Sequence, residues 1–225
     1  MNKLIVYAIP VSLYCAKLRI LLRHKQLEWE EIPPPGGYGS EEYARIVTSG
    51  NLPALMDAEL LLADSEAIAE YLNEKYPEFP MLPEGIEGRA KARELSRFHD
   101  TRLEPELRAL FAHIDPDKRD SNVVLGQATK LNLRLKELSQ LLNSSDTAAK
   151  VDQDSQAFPD QLSLGDCGFA ISFLWIERLS TVMGFDIEWP DVILKYKSHI
   201  QGFTAVNDEL ADYQPKLDQW LELTT

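Results

Sequence analysis

A proline-rich stretch between residues 77 and 88 constrains the fold more than any other feature, because the character of the chain changes across it. Before this stretch, short strand-like runs alternate with helical patterns, whereas every clear pattern after it is helical. That order predicts an α/β domain followed by an all-helical domain. We expect the domains to span residues 1–82 and 89–225, with a linker at residues 83–88.

The first half has the patterns of one mixed sheet of about four strands. The run from Leu4 to Ile9 is short, apolar and closed by Pro10, which is typical of a buried strand. The predicted strands lie at 3–9, 27–32, 52–56 and 60–63, and the predicted helices at 14–25, 40–47 and 65–75.

The second half shows helical periodicity and no convincing strand pair. The polar segment at 143–161 predicts a loop. The predicted helices lie at 89–113, 122–142, 164–182, 190–201 and 215–223.

The formal net charge of −13 restricts the partners of the chain. Nucleic acids and anionic membranes are bound through Lys and Arg, so this acidic chain predicts neither partner. No stretch approaches the roughly 20 apolar residues of a membrane span. Pro10 interrupts the apolar start, so we expect no signal peptide but a soluble, cytoplasmic protein. The two distant cysteines predict reduced thiols, and the scattered histidines predict no metal site.

Four short segments carry the functional signal. The segment Ser12–Arg19 follows the first predicted strand and opens a helix, and Gly50–Leu55 leads into a predicted strand. The pair Asp64-Ser65 stands directly before a predicted helix, and Ser163–Asp166 has the spacing of a helix cap. Each segment is weak alone, because short motifs recur by chance, but their order and intervals make the set specific.

Together with the two unlike halves, these segments resemble the cytosolic glutathione transferases along essentially the whole chain. Ser12, with Lys17 five positions later, is similar to the active-site segment of serine-type members such as the zeta and tau classes. It takes the place of the first Cys of a thioredoxin Cys-x-x-Cys motif. The resemblance implies a thioredoxin-like N-terminal domain, an all-α C-terminal domain, glutathione as co-substrate, a homodimer and a role in detoxification.

The resemblance also implies where glutathione binds. Asn51, Leu52 and Pro53 are similar to the family's cis-proline segment, at which the backbone of Leu52 would pair with the cysteinyl part of glutathione. Asp64 and Ser65 resemble the acidic-Ser pair that holds the γ-glutamyl end. Unbonded N–H groups at the start of a helix favour a carboxylate there.

Ser12 is the predicted catalytic residue, as a hydrogen-bond donor to the thiolate of glutathione. Lowering the pKa of a free thiol, about 8.5, by about two units takes roughly 2.7 kcal/mol. One hydrogen bond to a charged group supplies about 1.5–3 kcal/mol, and a helix N-terminus adds about 0.3–1 kcal/mol. A hydroxyl at a helix start is therefore of the right strength, although Ser12 could instead only cap the helix.

Cys15 is the alternative for thiol chemistry, since the first turn of a helix can lower the pKa of a thiol. Thiol-transferase relatives form a mixed disulfide with glutathione, but their reactive Cys stands where this chain has Ser12. The preferred interpretation is an inert, buried Cys15. Tyr7 and Tyr14 are further hydroxyls near Ser12, and both are expected to pack in the core.

The electrophile is expected to bind between the domains, against the first helices of the second domain. Asp100 could reach across a dimer to the amine of glutathione, as an acidic residue does in some relatives. Lys17 and Arg19, like Arg93 and Arg97, are expected on solvated helix faces. Candidates for the wall of the electrophile site, each with ordinary helix packing as the alternative, are Phe98, Arg102, Arg108 and Phe111.

The sequence thus predicts a glutathione transferase in which the thiolate of bound glutathione attacks a small hydrophobic electrophile. One alternative is a cis–trans isomerase similar to the maleylacetoacetate isomerases, which carry Ser-Ser-Cys where this chain has Ser12-Leu13-Tyr14. Another is a non-catalytic binding protein of the same fold. The presence of Ser12, Pro53, Asp64 and Ser65 argues against this last possibility.

Overall fold

A computed structural model describes residues 3–144 and 158–224 of the chain. The strands of its first half are β1 (Leu4–Tyr7), β2 (Trp29–Ile32), β3 (Ala54–Asp57) and β4 (Leu60–Leu62). They form one sheet in the order β2-β1-β3-β4, which confirms the predicted mixed sheet. β1 runs parallel to β2 and antiparallel to β3, and β3 runs antiparallel to β4.

Three helices accompany the sheet, namely α1 (Leu13–His24), α2 (Glu41–Ile46) and α3 (Ser65–Lys75). A parallel strand pair needs a crossover connection, and α1 supplies it between β1 and β2. The loop before α1 therefore lies at the carboxyl end of β1, the edge of an open α/β sheet where ligands bind.

The second half is helical throughout its described residues, which confirms the predicted fold class of an α/β domain plus an all-α domain. Its first helix begins at Ile86, inside the predicted linker at 83–88, and the domain limits themselves stay a prediction. The predicted loop at 143–161 lies mostly outside the described residues. The helices are α4 (Ile86–Phe98), α5 (Glu104–Arg108), α6 (Ser121–Ser144), α7 (Cys167–Met183), α8 (Asp191–Gln201) and α9 (Thr204–Thr224).

The single helix predicted at 89–113 is wrong. After α4 the chain forms a π turn at His99–Leu103, then the short α5, then 3₁₀ turns at Phe111–His113 and Pro116–Lys118. Pro105 lies in the first turn of α5. Proline has no N–H to give to the carbonyl four residues earlier, and its ring crowds that carbonyl, so a regular helix does not run through this position.

The C-terminal helix is longer than predicted, because α9 begins at Thr204 and contains Pro215 in its interior. Val206, Tyr213 and Leu217 form one buried stripe along it. Packing of this stripe on the core keeps the helix continuous across the proline, since tertiary contacts supply most helical stability in proteins.

Helix α1 is buried on nearly every side, so the prediction that Lys17 and Arg19 face solvent is wrong. Lys17 is 4% exposed and Arg19 is 8% exposed. The helix contacts α3, α7 and α9, and these helices cover the face that its periodicity assigns to water. Both cations are held in ion pairs there.

The predicted cap at Ser163–Asp166 forms in part. A carboxylate oxygen of Asp166 accepts hydrogen bonds from the N–H of Ser163 at 2.8 Å and from its hydroxyl at 2.7 Å. The reach of Asp166 back to Ser163 is therefore confirmed. The Ser163 hydroxyl differs from the prediction, because it donates to Asp166 instead of capping a backbone N–H.

Candidate active site

Ser12 ends the loop that joins β1 to α1 and is the N-cap of that helix. Its Oγ accepts a hydrogen bond from the N–H of Cys15 at 3.3 Å, and its backbone is extended, as an N-cap requires. A hydroxyl has two acceptor lone pairs and one donor proton, so Ser12 keeps its proton for another acceptor. The half-buried side chain borders a cleft.

The segment before β3 forms a second part of this border. The peptide bond between Leu52 and Pro53 is cis, as the sequence predicts. The hydroxyl of Tyr43 in α2 donates to the carbonyl of Asn51 at 2.8 Å, so α2 fixes the segment from behind. Asn51 and Leu52 border the cleft, and Pro53 is buried.

The start of α3 forms the third part of the border of the cleft. Asp64 is the N-cap, and one of its carboxylate oxygens accepts from the N–H of Glu66 at 3.0 Å and of Ala67 at 2.9 Å. Ser65 stands between the cap and these donors as the first helical residue. Asp64 and Ser65 both border the cleft.

These residues face one cleft of about 580 Å³ between the two halves of the molecule. That volume lies within the usual range of small-molecule sites, about 300–1,000 Å³. The structure brings Ser12, Asn51, Leu52, Asp64 and Ser65 to one side of it. The helical half lines the opposite side with Arg97, Asp100, Arg108, Phe111, Trp175 and Trp220.

The opposite side is largely aromatic. Phe111 stacks on Trp175 with ring centroids 4.5 Å apart, and Trp220 meets Trp175 edge-on at 5.8 Å. The guanidinium of Arg108 lies 5.6 Å from the ring of Tyr14 and 5.2 Å from that of Phe111. We call Phe111, Trp175 and Trp220 the aromatic wall, and Arg108 lies beside it. Such a surface suits a flat apolar or aromatic molecule.

Two of the four predicted wall residues, Arg108 and Phe111, border the cleft. The predictions for Phe98 and Arg102 are wrong, because both line a separate groove against α6. The π turn at His99–Leu103 adds a residue to the helical turn and so changes the face to which Arg102 points.

Sequence reasoning missed four aromatic residues of the cleft, Tyr14, Tyr38, Trp175 and Trp220. Trp175 and Trp220 come from α7 and α9, and no local motif marks them, because only packing brings these helices together. Tyr14 packs against the core, as predicted, and also borders the cleft. Tyr7 is buried as predicted, with its ring 5.5 Å from that of Tyr43.

Lys17 joins the two halves beside the cleft. Its Nζ lies 2.8 Å from a carboxylate oxygen of Glu66 and 2.9 Å from one of Asp100. Nδ1 of His99 donates to Asp100 at 2.7 Å. Although burial opposes it, the hydrogen bond from His99 and the charge of Lys17 lower the pKa of Asp100 to about 2. The carboxylate of Asp100 is thus paired within its own chain. Its contact with glutathione across a dimer stays a prediction.

Ser172, His99 and Asp100 are linked in the order of a hydrolase triad, since Nε2 of His99 lies 2.7 Å from the Ser172 hydroxyl. Ser172 is 0% exposed and His99 is 1% exposed, so no substrate reaches either side chain. These hydrogen bonds connect α7 to the π turn, and the buried Ser172 cannot act as a nucleophile on a substrate in the cleft.

Cys15 is a free thiol and is 1% exposed. Burial raises the pKa of this thiol, although a hydrogen bond with Ser12 opposes the change. Across residues 3–144 and 158–224, no group of three or more His, Cys, Asp or Glu side chains is placed to hold a metal ion. Nor does this described part of the chain contain a helix long and apolar enough to cross a membrane.

Comparison with known proteins finds matches among the glutathione transferases. Residues 6–80 match the family model described as glutathione S-transferase, N-terminal domain. The chain is 38% identical over 92 residues to glutathione S-transferase Z1 of Arabidopsis thaliana, covering 40% of this chain and 42% of that one. It is 28% identical over 109 residues to the maleylacetoacetate isomerase of Dictyostelium discoideum, covering 46% and 50%. A solved structure of glutathione S-transferase III in its apo form matches 94% of this chain and 97% of its own, with a TM-score of 0.71 and 20% identity.

The family model covers the segment that contains Ser12, Leu52 and Ser65, and the structural match extends the same fold over the helical half. Residues 6–80 are therefore similar to the glutathione S-transferase N-terminal domain. The chain has the fold of the solved glutathione S-transferase, a thioredoxin-like N-terminal domain followed by an all-α C-terminal domain. The chain spans about half the length of the curated relatives it matches.

Proposed function

We propose that this chain conjugates glutathione to a small hydrophobic electrophile, with Ser12 as hydrogen-bond donor to the glutathione thiolate. One observation carries the proposal. The Ser12 hydroxyl, at the start of α1, borders the same cleft as the start of α3 and the aromatic wall. A cleft with an anion-binding helix start on one side and an aromatic surface on the other suits a peptide thiol and an apolar partner.

The γ-glutamyl end of glutathione would bind at the start of α3. Asp64 already satisfies the N–H groups of Glu66 and Ala67, so the N–H and hydroxyl of Ser65 are the groups placed to hold a carboxylate. The ionised Asp64 would attract the amine beside that carboxylate. The backbone of Leu52 would then pair with the cysteinyl residue and bring its sulfur toward Ser12.

The position of Ser12 supports its role as the donor to this sulfur. Its Oγ accepts from the N–H of Cys15 and Ser12 borders the cleft, so its one hydroxyl proton can be donated to a sulfur bound there. Hydrogen bonds in series polarise one another, and the helix N-terminus also favours an anion. Cys15 is supported less well, because its thiol is buried and burial raises its pKa.

A glutathione-dependent cis–trans isomerase is the second candidate. The observation that favours it is the pair Arg97 and Arg108, which both line the cleft beside the aromatic wall. Planar guanidinium groups recognise carboxylates, so they suit a substrate that carries acid groups. One matching relative is named as a maleylacetoacetate isomerase.

The test is Ser12→Ala, with the capping serine Ser40→Ala as matched control. Ser40 caps α2 by the same bond, from the N–H of Tyr43 at 3.0 Å, but does not border the cleft. In Ser12→Ala we expect the pKa of the bound glutathione thiol to rise by about one to two units. Turnover of an aryl halide should fall on the order of a hundredfold. Calorimetry should show glutathione binding retained in both variants.

Three outcomes would contradict the proposal. Absence of glutathione binding would exclude both enzyme activities and leave a binding protein for another ligand. Binding without turnover of any electrophile would favour a non-catalytic role. Turnover restricted to a cis-configured maleyl compound would favour the isomerase. The expected homodimer is checked separately by sedimentation of the purified chain.

A further inference from the structure

The loop from Ile9 to Ser12 is fixed through its carbonyl groups. The carbonyl of Ile9 accepts from the N–H of Ser12 at 3.3 Å, and that of Ser12 accepts from Ala16 at 3.0 Å. The carbonyl of Pro10 accepts from the guanidinium of Arg19 at 3.0 Å. The carbonyl of Val11 has a partner from the other end of the chain, in α9.

The hydroxyl of Tyr213 in α9 donates to the carbonyl of Val11 at 2.7 Å. The same hydroxyl oxygen receives a hydrogen bond from the indole N–H of Trp175 at 2.8 Å. An indole N–H can only donate, so the one proton of the Tyr213 hydroxyl is left for Val11. Tyr213 is 0% exposed, and burial raises its pKa, which keeps that proton in place.

We propose that Tyr213 is a positioning residue for catalysis, which sets the Ser12 hydroxyl relative to the aromatic wall. The peptide between Val11 and Ser12 is planar, so fixing the Val11 carbonyl fixes the direction in which the chain enters Ser12. The partner on the other side of the hydroxyl, Trp175, is itself part of the wall. Trp175 is 1% exposed and packs against Phe111 and Trp220, so one oxygen locates the thiolate donor and supports the surface that would hold the electrophile.

Tyr213 is not needed to keep α9 in place. Glu209 accepts from Arg19 at 2.7 Å and from Arg23 at 3.1 Å, and Arg178 pairs with Asp218 at 2.6 Å. These ion pairs and the buried stripe of α9 remain when the hydroxyl alone is removed. The change Tyr213→Phe therefore tests the hydrogen bond and spares the helix.

This inference depends on the proposed function, so both are measured in one titration. Ultraviolet absorbance of the bound thiolate is followed against pH in the wild type, Ser12→Ala, Tyr213→Phe and the double variant. We expect Tyr213→Phe to raise the pKa of the bound thiol and to lower kcat on the order of tenfold, with glutathione affinity retained. In the Ser12→Ala background it should add nothing, because the group that it positions is gone.

The control is Tyr196→Phe. Tyr196 is also buried, and its hydroxyl donates to Asp166 at 2.5 Å, outside the cleft. It should lose stability without changing the pKa of the bound thiol. If Tyr213→Phe fails to fold, Trp175→Phe takes its place, since it removes the donor that orients the hydroxyl and should raise the same pKa by less.

The outcomes separate the two proposals. A normal thiol pKa in the wild type, unaffected by Ser12→Ala, contradicts the proposed function. A lowered pKa that depends on Ser12 but is unchanged in Tyr213→Phe overturns the inference alone. Equal effects of Tyr213→Phe with and without Ser12 would also overturn it, because they would show that Tyr213 acts by another route.

Discussion

The two sides of the cleft are built in different ways. On the sheet side, the two helix caps are held by bonds to near neighbours in sequence, Ser12 to Cys15 and Asp64 to Ala67. On the helical side, the aromatic wall combines side chains from separate helices, and Trp175 and Trp220 meet only through packing. We expect glutathione recognition to depend on local geometry, and electrophile selection to depend on how the helices pack.

Two connections cross this division, the hydrogen bond from Tyr213 to Val11 and the ion pairs of Lys17. Lys17 contacts Glu66 at the start of α3 and Asp100 at the edge of the helical side, so it connects both sides. A buried charge that loses its partner is costly. Changes near this bridge therefore test whether the two sides behave as separate units.

The largest effect is expected from Gly168→Ala. A Cβ at Gly168 would lie 2.6 Å from Nδ1 and 2.7 Å from Nε2 of His99, which is fully enclosed and has no space to move. We expect a loss of about 3 kcal/mol in the free energy of unfolding, measured with urea. Unchanged stability would mean that His99 is not confined as the structure places it.

Gly126→Ala is the matched control for that change. Gly126 lies inside α6, and among the described residues no heavy atom outside its own helical turn lies within 4 Å of the position that a Cβ would take. Alanine is the better helix former by about 1 kcal/mol, so stability should stay equal or rise. If Gly168→Ala also weakens glutathione binding, the contacts of Lys17 with Asp100 and Glu66 couple the two sides of the cleft. The sheet side would then not bind glutathione independently of the helical side.

Acid stability gives the second prediction. The folded pKa of Asp100, about 2, lies below its ordinary value of 3.8. A depressed carboxyl pKa adds stability above the unfolded pKa, and this contribution is lost as the pH falls from about 4 to 2. The shift corresponds to about 2 kcal/mol. We expect Asp100→Asn to be less stable than the wild type by about that amount at neutral pH, with the gap closing below about pH 3.

Urea unfolding of both proteins across this range measures the gap. A difference that stays constant with pH would show that Asp100 stabilises the fold by packing and not by its charge. Glutathione affinity, followed in the same series of buffers at neutral pH, shows whether the charge of Asp100 reaches the sheet side of the cleft.

The same division explains what the sequence could predict. The segments with Ser12, Leu52-Pro53 and Asp64-Ser65 were visible because a helix cap and an X-Pro bond are local features. The sheet and most helices followed from periodicity. Lys17 and Arg19 were misplaced because periodicity describes one helix and not the helices around it. Arg102 was misplaced because the π turn changes the helical phase, and Trp175 and Trp220 have no local signature.

The smallest effect comes from a pair of single changes, one on each side. Ser65→Ala removes a hydroxyl from the start of α3, and we expect the Kd for glutathione to rise about tenfold, the usual loss for one hydrogen bond to a charged group. Trp220→Ala removes one face of the aromatic wall and should raise KM for an aryl electrophile by a similar factor.

Each change should leave the other ligand's constant close to that of the wild type, because Ser65 and Trp220 lie on opposite sides of the cleft. Calorimetry gives the glutathione Kd, and initial rates at saturating glutathione give the electrophile KM. If Trp220→Ala weakens glutathione binding as much as Ser65→Ala does, the wall also shapes the glutathione site. The two sides of the cleft would then differ in how they are built, but glutathione binding would depend on both of them.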